Sequence, residues 1–193
     1  MAHFALGYHT MLTSAREFLI REKFFSINER MEILDPSSQT ILGYFRSKFF
    51  TLPKKYWLTH PDEDPIIGIE KRMLTFMPKF NFFEAGPQET LSMNRPLGTL
   101  EKKFSFFTPK YHYIAPNGTL IYEIQGNFWE RNFQVIEQGR IVAEISKKFW
   151  SWTDTYGIRI DPGKNDQEAM ILLTMVVVLD YIADQQRSSH HHH

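Results

Sequence analysis

The chain contains no cysteine. That absence removes disulfides, thiolate zinc sites, iron–sulfur clusters, cysteine nucleophiles and palmitoylation together, and it suits a reducing compartment. The expected location is therefore the cytoplasm, with the membrane periphery as the alternative. Nor is there an excess of either charge: 22 Lys plus Arg balance 22 Asp plus Glu. Without a global field, nucleic acid is not an expected partner, and recognition of an anion has to come from a local patch. Long apolar runs are missing too. The longest, Ala169 to Leu179, has one polar residue in eleven, whereas a transmembrane helix needs roughly 20. Met1 to Thr13 has no basic region ahead of its apolar residues, so it does not read as a signal peptide. A P-loop, a dinucleotide-type glycine pattern, a metalloprotease helix motif and a nucleophile elbow are all absent. The expectation is a protein that is not an enzyme and carries no metal or cofactor.

What the chain has is aromatic side chains and short apolar alternations. Its 193 residues suit a single domain, and the closing run Ser188 to His193 reads as a purification-tag remnant. The expected organisation is an N-terminal extension over 1–16, one domain over 17–187 and the tag over 188–193. Aromatics make up 15% of the residues, including 17 Phe, and they fall in short runs bounded by Pro, Gly, Asn and Asp. This is the signature of a mainly β chain. Ile141, Ala143 and Ile145 alternate with Val142, Glu144 and Ser146, which predicts a strand with the first set on one dry face. Thr119 to Gln125 alternates likewise after Pro116-Asn117-Gly118, a hairpin signal.

The sequence also repeats itself. Leu34 and Pro36 align with Ile114 and Pro116, Thr40-Ile41-Leu42 with Thr119-Leu120-Ile121, Tyr56-Trp57-Leu58 with Phe133-Gln134-Val135, and Ile69 to Arg72 with Ile145 to Lys148. The four matches keep their order and their offset shrinks only where turns lie, which predicts a duplicated unit of four strands. Between the copies, Glu84 to Gly98 is rich in Pro, Gly and Asn and reads as a long crossing loop.

The run Ala169 to Leu179 is apolar in every direction of a helical wheel, so a helix there has to be surrounded. Asn165 to Glu168 has the spacing of a capping box, which puts the helix start near Asp166, and the end is expected near Asp184. Eleven helical residues extend about 16 Å, close to the roughly 17 to 20 Å of an ordinary strand. The arithmetic fits a helix threaded through a closed sheet.

Several segments carry a resemblance: Gly126 to Val135, Ile141 to Tyr156, Val176 to Asp180, Lys23 to Ile27, Glu32 to Asp35, Phe49 to Lys55 and Met77 to Phe80. Together they resemble bacterial members of the LURP-one-related family over roughly Glu17 to Ile182. The resemblance implies a tubby C-terminal-like fold, also that of phospholipid scramblases: a closed antiparallel barrel of about twelve strands around a hydrophobic C-terminal helix. It also points towards membranes and signalling, since tubby domains bind phosphoinositides and scramblases act on lipids. The lack of cysteines for palmitoylation departs from the scramblase pattern.

Candidate site residues follow from the basic pairs Lys71-Arg72, Lys102-Lys103 and Lys147-Lys148. Neighbours in a strand face opposite ways, so only one of each pair joins a given surface. Arg72, Lys103 and Lys148, with Lys54 and Lys55, are the candidates for holding anionic lipid headgroups; otherwise these charges only solubilise a barrel or snorkel from its ends. His60-Pro61-Asp62-Glu63-Asp64 reads as a hairpin tip rather than a cation site, and His112 as a structural histidine without an acid partner nearby in sequence. Trp150 and Trp152 read as barrel filling. The expected function is a non-enzymatic binding or scaffold module for anionic lipid headgroups or a protein partner. The alternative is an enzyme, or a carrier of a small apolar ligand, with its site in the barrel mouth.

Overall fold

A computed structural model describes residues 11–23, 30–47, 52–105, 108–127, 130, 132–146 and 155–190. Twelve strands follow one another: β1 (Glu17–Lys23), β2 (Arg30–Leu34), β3 (Ile41–Ser47), β4 (Lys55–Thr59), β5 (Pro65–Lys71), β6 (Lys79–Gly86), β7 (Thr90–Lys103), β8 (Lys110–Ile114), β9 (Leu120–Asn127), β10 (Asn132–Glu137), β11 (Arg140–Ser146) and β12 (Thr155–Ile160). Each is antiparallel to its neighbour in sequence, and β12 returns to pair with β1, Ile20 opposite Tyr156. The sheet is thereby a closed barrel with no free edge. One helix, α1 (Asp166–His190), follows the last strand.

The duplication is visible in the register. In β3, β5 and β9 the second residue, and in β11 the third, has no partner across the ladder: Ile33 faces Gly43 and Leu34 faces Ile41, which leaves Leu42 over, and the same slip leaves Ile66, Ile121 and Val142. All four join or pack against the hydrophobic core. Leu42 and Ile121 stand at the repeat offset seen in their part of the sequence, as do Ile66 and Val142. A bulge re-aims one side chain and sharpens the local twist, so each half uses it twice to turn an extra apolar residue inward just after a hairpin. The turns agree as well. Asp35 N–H donates to Thr40 O, and Ala115 N–H to Thr119 O, at 2.9 and 2.8 Å.

Val142 also corrects the simple alternation expected for β11. Ala143 and Ile145 are buried, but Ile141 is exposed and Val142 is buried in its place, because the bulge shifts the first residues of the strand by one. A second correction concerns Glu84 to Gly98. It is not a crossing loop: β6 and β7 are direct neighbours joined by a one-turn 3-10 helix, Pro87–Glu89, and the ladder accommodates Pro96 by slipping register around Phe83. A barrel wound in sequence order needs no crossing.

The helix begins as its capping box dictates. Asn165 Oδ1 accepts from Glu168 N–H at 2.9 Å, and Glu168 Oε2 accepts from Asn165 N–H at 3.1 Å. Leu172 to Asp180 are buried without interruption, which covers every direction of the helix. Thr174, the polar member of the apolar run, donates its hydroxyl to Met170 O at 2.6 Å and so leaves no unsatisfied group. The helix continues beyond Asp184 to His190, since no Gly or Pro intervenes to stop it. The N-terminal segment also enters the core: Leu12 is fully buried. It lies where Gly43 makes room, because a Cβ there would stand 2.9 Å from Leu12 Cδ2 and 2.4 Å from Thr59 O.

Replacing Val176 with Asp should abolish cooperative unfolding in urea, since an unpaired charge would sit in the packed interior. Asn165→Ala should lower stability by about 1 kcal/mol through loss of the cap. A Val176→Asp variant that melts like the parent would refute the threaded-helix arrangement.

Candidate functional site

Strand direction sorts the connections to two ends. The turns β2–β3, β4–β5, β8–β9 and β10–β11 lie at one end together with the start of α1; the connections β3–β4, β5–β6 and β7–β8 lie at the other.

The end where the helix enters is sealed by ion pairs. The buried Lys164 ammonium donates to both Glu137 oxygens at 2.6 and 2.7 Å and to Glu168 at 3.1 Å, and it stands 5.3 Å from the centre of the Tyr122 ring. Burial alone would lower its pKa, but the hydrogen bonds it donates to Glu137 and Glu168 outweigh it and raise the value to about 12. Burial likewise pushes Tyr122 to about 12. Neither group is poised to exchange a proton near neutrality. Arg16 ties the seal to the N-terminal segment, donating to Lys164 O at 2.8 Å and to Asp166 at 2.8 Å.

The opposite rim gathers the sequence candidates. Lys54 O accepts from Lys71 N–H, Lys79 O accepts from Arg72 N–H, and Pro78 O accepts from Lys102 N–H, all within 3.0 Å. Lys103 then stands across the ladder from Lys110. Lys54, Lys55, Arg72 and Lys103 therefore belong to one arc over the adjoining ends of β4 to β8, which at the usual spacing between strands spans about 20 Å. Lys148 lies outside the described residues, as do Trp150 and Trp152.

Within this arc the side chains are not equivalent. Lys54 stands 5.6 Å over the Tyr56 ring, a core aromatic, and so belongs to the barrel mouth. Lys55 is on the outer face opposite Glu70, and Arg72 is exposed just past β5. Lys103 is spoken for: its ammonium donates to Glu101, whose other oxygen meets Lys79 at 2.8 Å. The hydrogen bond from Lys103, then that from Lys79, holds the Glu101 carboxyl below the usual range. Sequence reasoning overlooked Lys79 and Lys110 because they are single charges at strand starts, with no doublet to mark them.

His112 also acquires neighbours that the sequence hides. The register sets it between Glu101 on β7 and Glu123 on β9. Burial, and after it the Lys103 charge, nevertheless lower its pKa, so the neutral imidazole prevails at pH 7. The 60–64 segment is a hairpin turn, with Glu63 at positive φ and bonded to Arg46 at 2.8 Å. Among the described residues no cluster of His, Asp and Glu could hold a metal ion. Beside Lys110, an open depression of about 490 Å³ lies on the outer wall, lined by Gln125, Asn127, Asn132 and Gln134.

The model of the family described as LURP-one-related matches residues 16–180. The match starts at the arginine that ties the N-terminal segment to the helix start and ends at the last residue of the buried stretch of α1. The chain is also 24% identical over 165 residues to the uncharacterized protein YxjI of Bacillus subtilis (strain 168), covering 86% of this chain and 77% of that protein.

Glu101→Gln tests the wiring of the rim. Because the folded pKa of Glu101 is depressed, its stabilisation is present above the unfolded value of 4.5 and is lost as pH falls through the lower folded value. The variant should be less stable than the parent by about 0.5–1 kcal/mol at pH 7, and the difference should vanish on acidification. Urea titrations at several pH values would read this directly; a pH-independent difference would refute the ionic role.

Proposed function

This chain belongs to the LURP-one-related family, and we propose that it is a non-catalytic binding module that docks its basic rim on an anionic phospholipid surface. The observation that carries this reading is the arc itself. Lys54, Lys55, Lys71 and Arg72 are followed around the rim by Lys79, Lys102, Lys103 and Lys110, against only Glu70 and Glu101 among the described acids of those strand ends. A chain with no net charge has thus concentrated one sign at one end. The local field there is strong enough for docking although the global one is nil.

Two features support binding by the surface rather than chemistry inside. The helix fills the barrel with Leu, Met and Val side chains. At the opposite end Lys164 is held protonated by its ion pairs and Tyr122 is kept neutral by burial, which is the arrangement of a structural seal. Bound at the rim, a phosphate would find ammonium and guanidinium donors, with Glu101 the carboxylate among the described strand-end residues from Arg72 round to Lys110.

Near an anionic membrane each positive charge contributes about 1 kcal/mol. Sedimentation with phosphatidylserine-containing vesicles should therefore show partitioning that falls on the order of 100-fold when Lys55, Arg72 and Lys110 are all changed to Ala. Lys103→Ala should do less than Arg72→Ala, because Glu101 already neutralises Lys103. Binding that is unchanged in the triple variant, or insensitive to salt, would defeat the proposal in favour of an acidic protein partner.

A further inference from the structure

The most exposed large apolar side chains of the described residues are not scattered. Leu74 is 103% exposed, Phe76 97%, Leu52 86% and Phe104 69%. Leu52 lies in the β3–β4 connection, Leu74 and Phe76 in β5–β6, and Phe104 in β7–β8, so all four stand at the basic rim. Scattered single apolar residues on a surface need no explanation, but three connections at one end of a barrel that each present at least one do.

Their order relative to the charges is informative. Lys54 and Lys55 follow Leu52, Arg72 and Lys79 bracket the 73–76 segment, and Lys103 precedes Phe104. In each case the cation sits at the strand end and the apolar residue lies beyond it in the connection. Along the barrel axis the molecule therefore presents first apolar tips, then a tier of cations, then the sealed barrel. A lipid leaflet entered from water offers the complement of that order: an anionic headgroup layer at the level of the cations, with hydrocarbon beneath it at the level of the tips.

We propose that the 73–76 segment and Leu52 insert below the headgroup layer of an anionic leaflet, anchoring the domain while the strand-end cations hold the phosphates. The inference rests on the docking reading above and adds penetration to it. Charge attraction alone would be lost at high salt, whereas burial of a Leu or Phe side chain persists and corresponds to about tenfold or more in partitioning. Two such side chains on one connection make the attachment resistant to salt once formed. The commitment to a bilayer rather than a folded partner follows from the shape of the feature. Separate tips on separate connections suit a deformable medium, while a rigid protein groove would have to match several connections at once.

The absence of cysteine makes the test clean, because Phe76→Cys or Leu74→Cys gives a single labelling position. An environment-sensitive fluorophore at Phe76→Cys should shift to the blue on adding vesicles of equal phosphatidylcholine and phosphatidylserine, and should be quenched by lipids with a nitroxide on the acyl chain. The same label at Met93→Cys, on the hairpin at the opposite end, should do neither. Leu74→Asp combined with Phe76→Asp alters exposed positions and should leave the fold intact by circular dichroism, while lowering vesicle partitioning at high salt on the order of 100-fold. If the parent binds these vesicles but the label at Phe76→Cys stays in water and the double Asp variant binds equally, insertion is wrong and electrostatic docking stands. If the parent binds no vesicles at low salt, both readings fall.

Discussion

Everything in this molecule depends on a helix that has no polar side to give to water. From Leu172 to Asp180 each successive side chain is buried, and a helix of this kind requires apolar contact through the full circle. A single sheet face offers half of that. Twelve strands closed on themselves offer all of it, and they remove the open edges of a sheet so rich in aromatics. Closure and central helix are thus one constraint stated twice, and the seal around Lys164 follows from it. The entry end has to be closed against water without burying an unpaired charge, and a lysine shared between Glu137 and Glu168 meets that condition.

The sequence was most legible where a signal is local or periodic. The capping box at Asn165 fixed the helix start to the residue, and the shrinking repeat offset located the hairpins where bulges recur. It was least legible where meaning depends on register. Alternation put Ile141 inside, yet one unpaired residue, Val142, reverses the first positions of β11. His112 looked isolated although Glu101 and Glu123 flank it across the ladder. The rim fared similarly: basic doublets named Arg72 and Lys103 together with Lys54 and Lys55, but only the order of strands adds Lys79 and Lys110 to them. The apolar connections escaped notice because exposure, unlike periodicity, leaves no pattern in a short segment.

The two halves share a scaffold and differ in how they treat its outer wall. In the first half Trp57 and Phe83 point outward yet are buried, because the β6–β7 hairpin lies over them. Gly68 permits this approach: a Cβ there would stand 2.4 Å from both Leu91 Cδ2 and the Trp57 ring. Arg46, bonded to Glu89 on the hairpin at 2.6 Å and to Glu63 at 2.8 Å, fastens the cover. The repeat offsets place Gln134 where the first half has Trp57, and Gln125 where it has Arg46. The second half thus presents carboxamides to solvent in the depression beside Lys110. Duplication supplied two equivalent walls; one acquired an apolar surface with a lid from its own chain, and the other stayed wet.

The seam between β1 and β12 carries a consequence for biosynthesis. The strand that begins the barrel finds its second neighbour only in the strand that ends it, Phe18 opposite Ile158, and the helix that supplies the centre of the core follows both. As the chain emerges from a ribosome, eleven strands are made before either the closing strand or the filling helix exists. During that interval the inward faces of the sheet have no core to rest on and β1 is an open edge. Native folding therefore waits for the closing strand and the helix, and the growing chain depends on whatever shields its aromatic strands until both have been made.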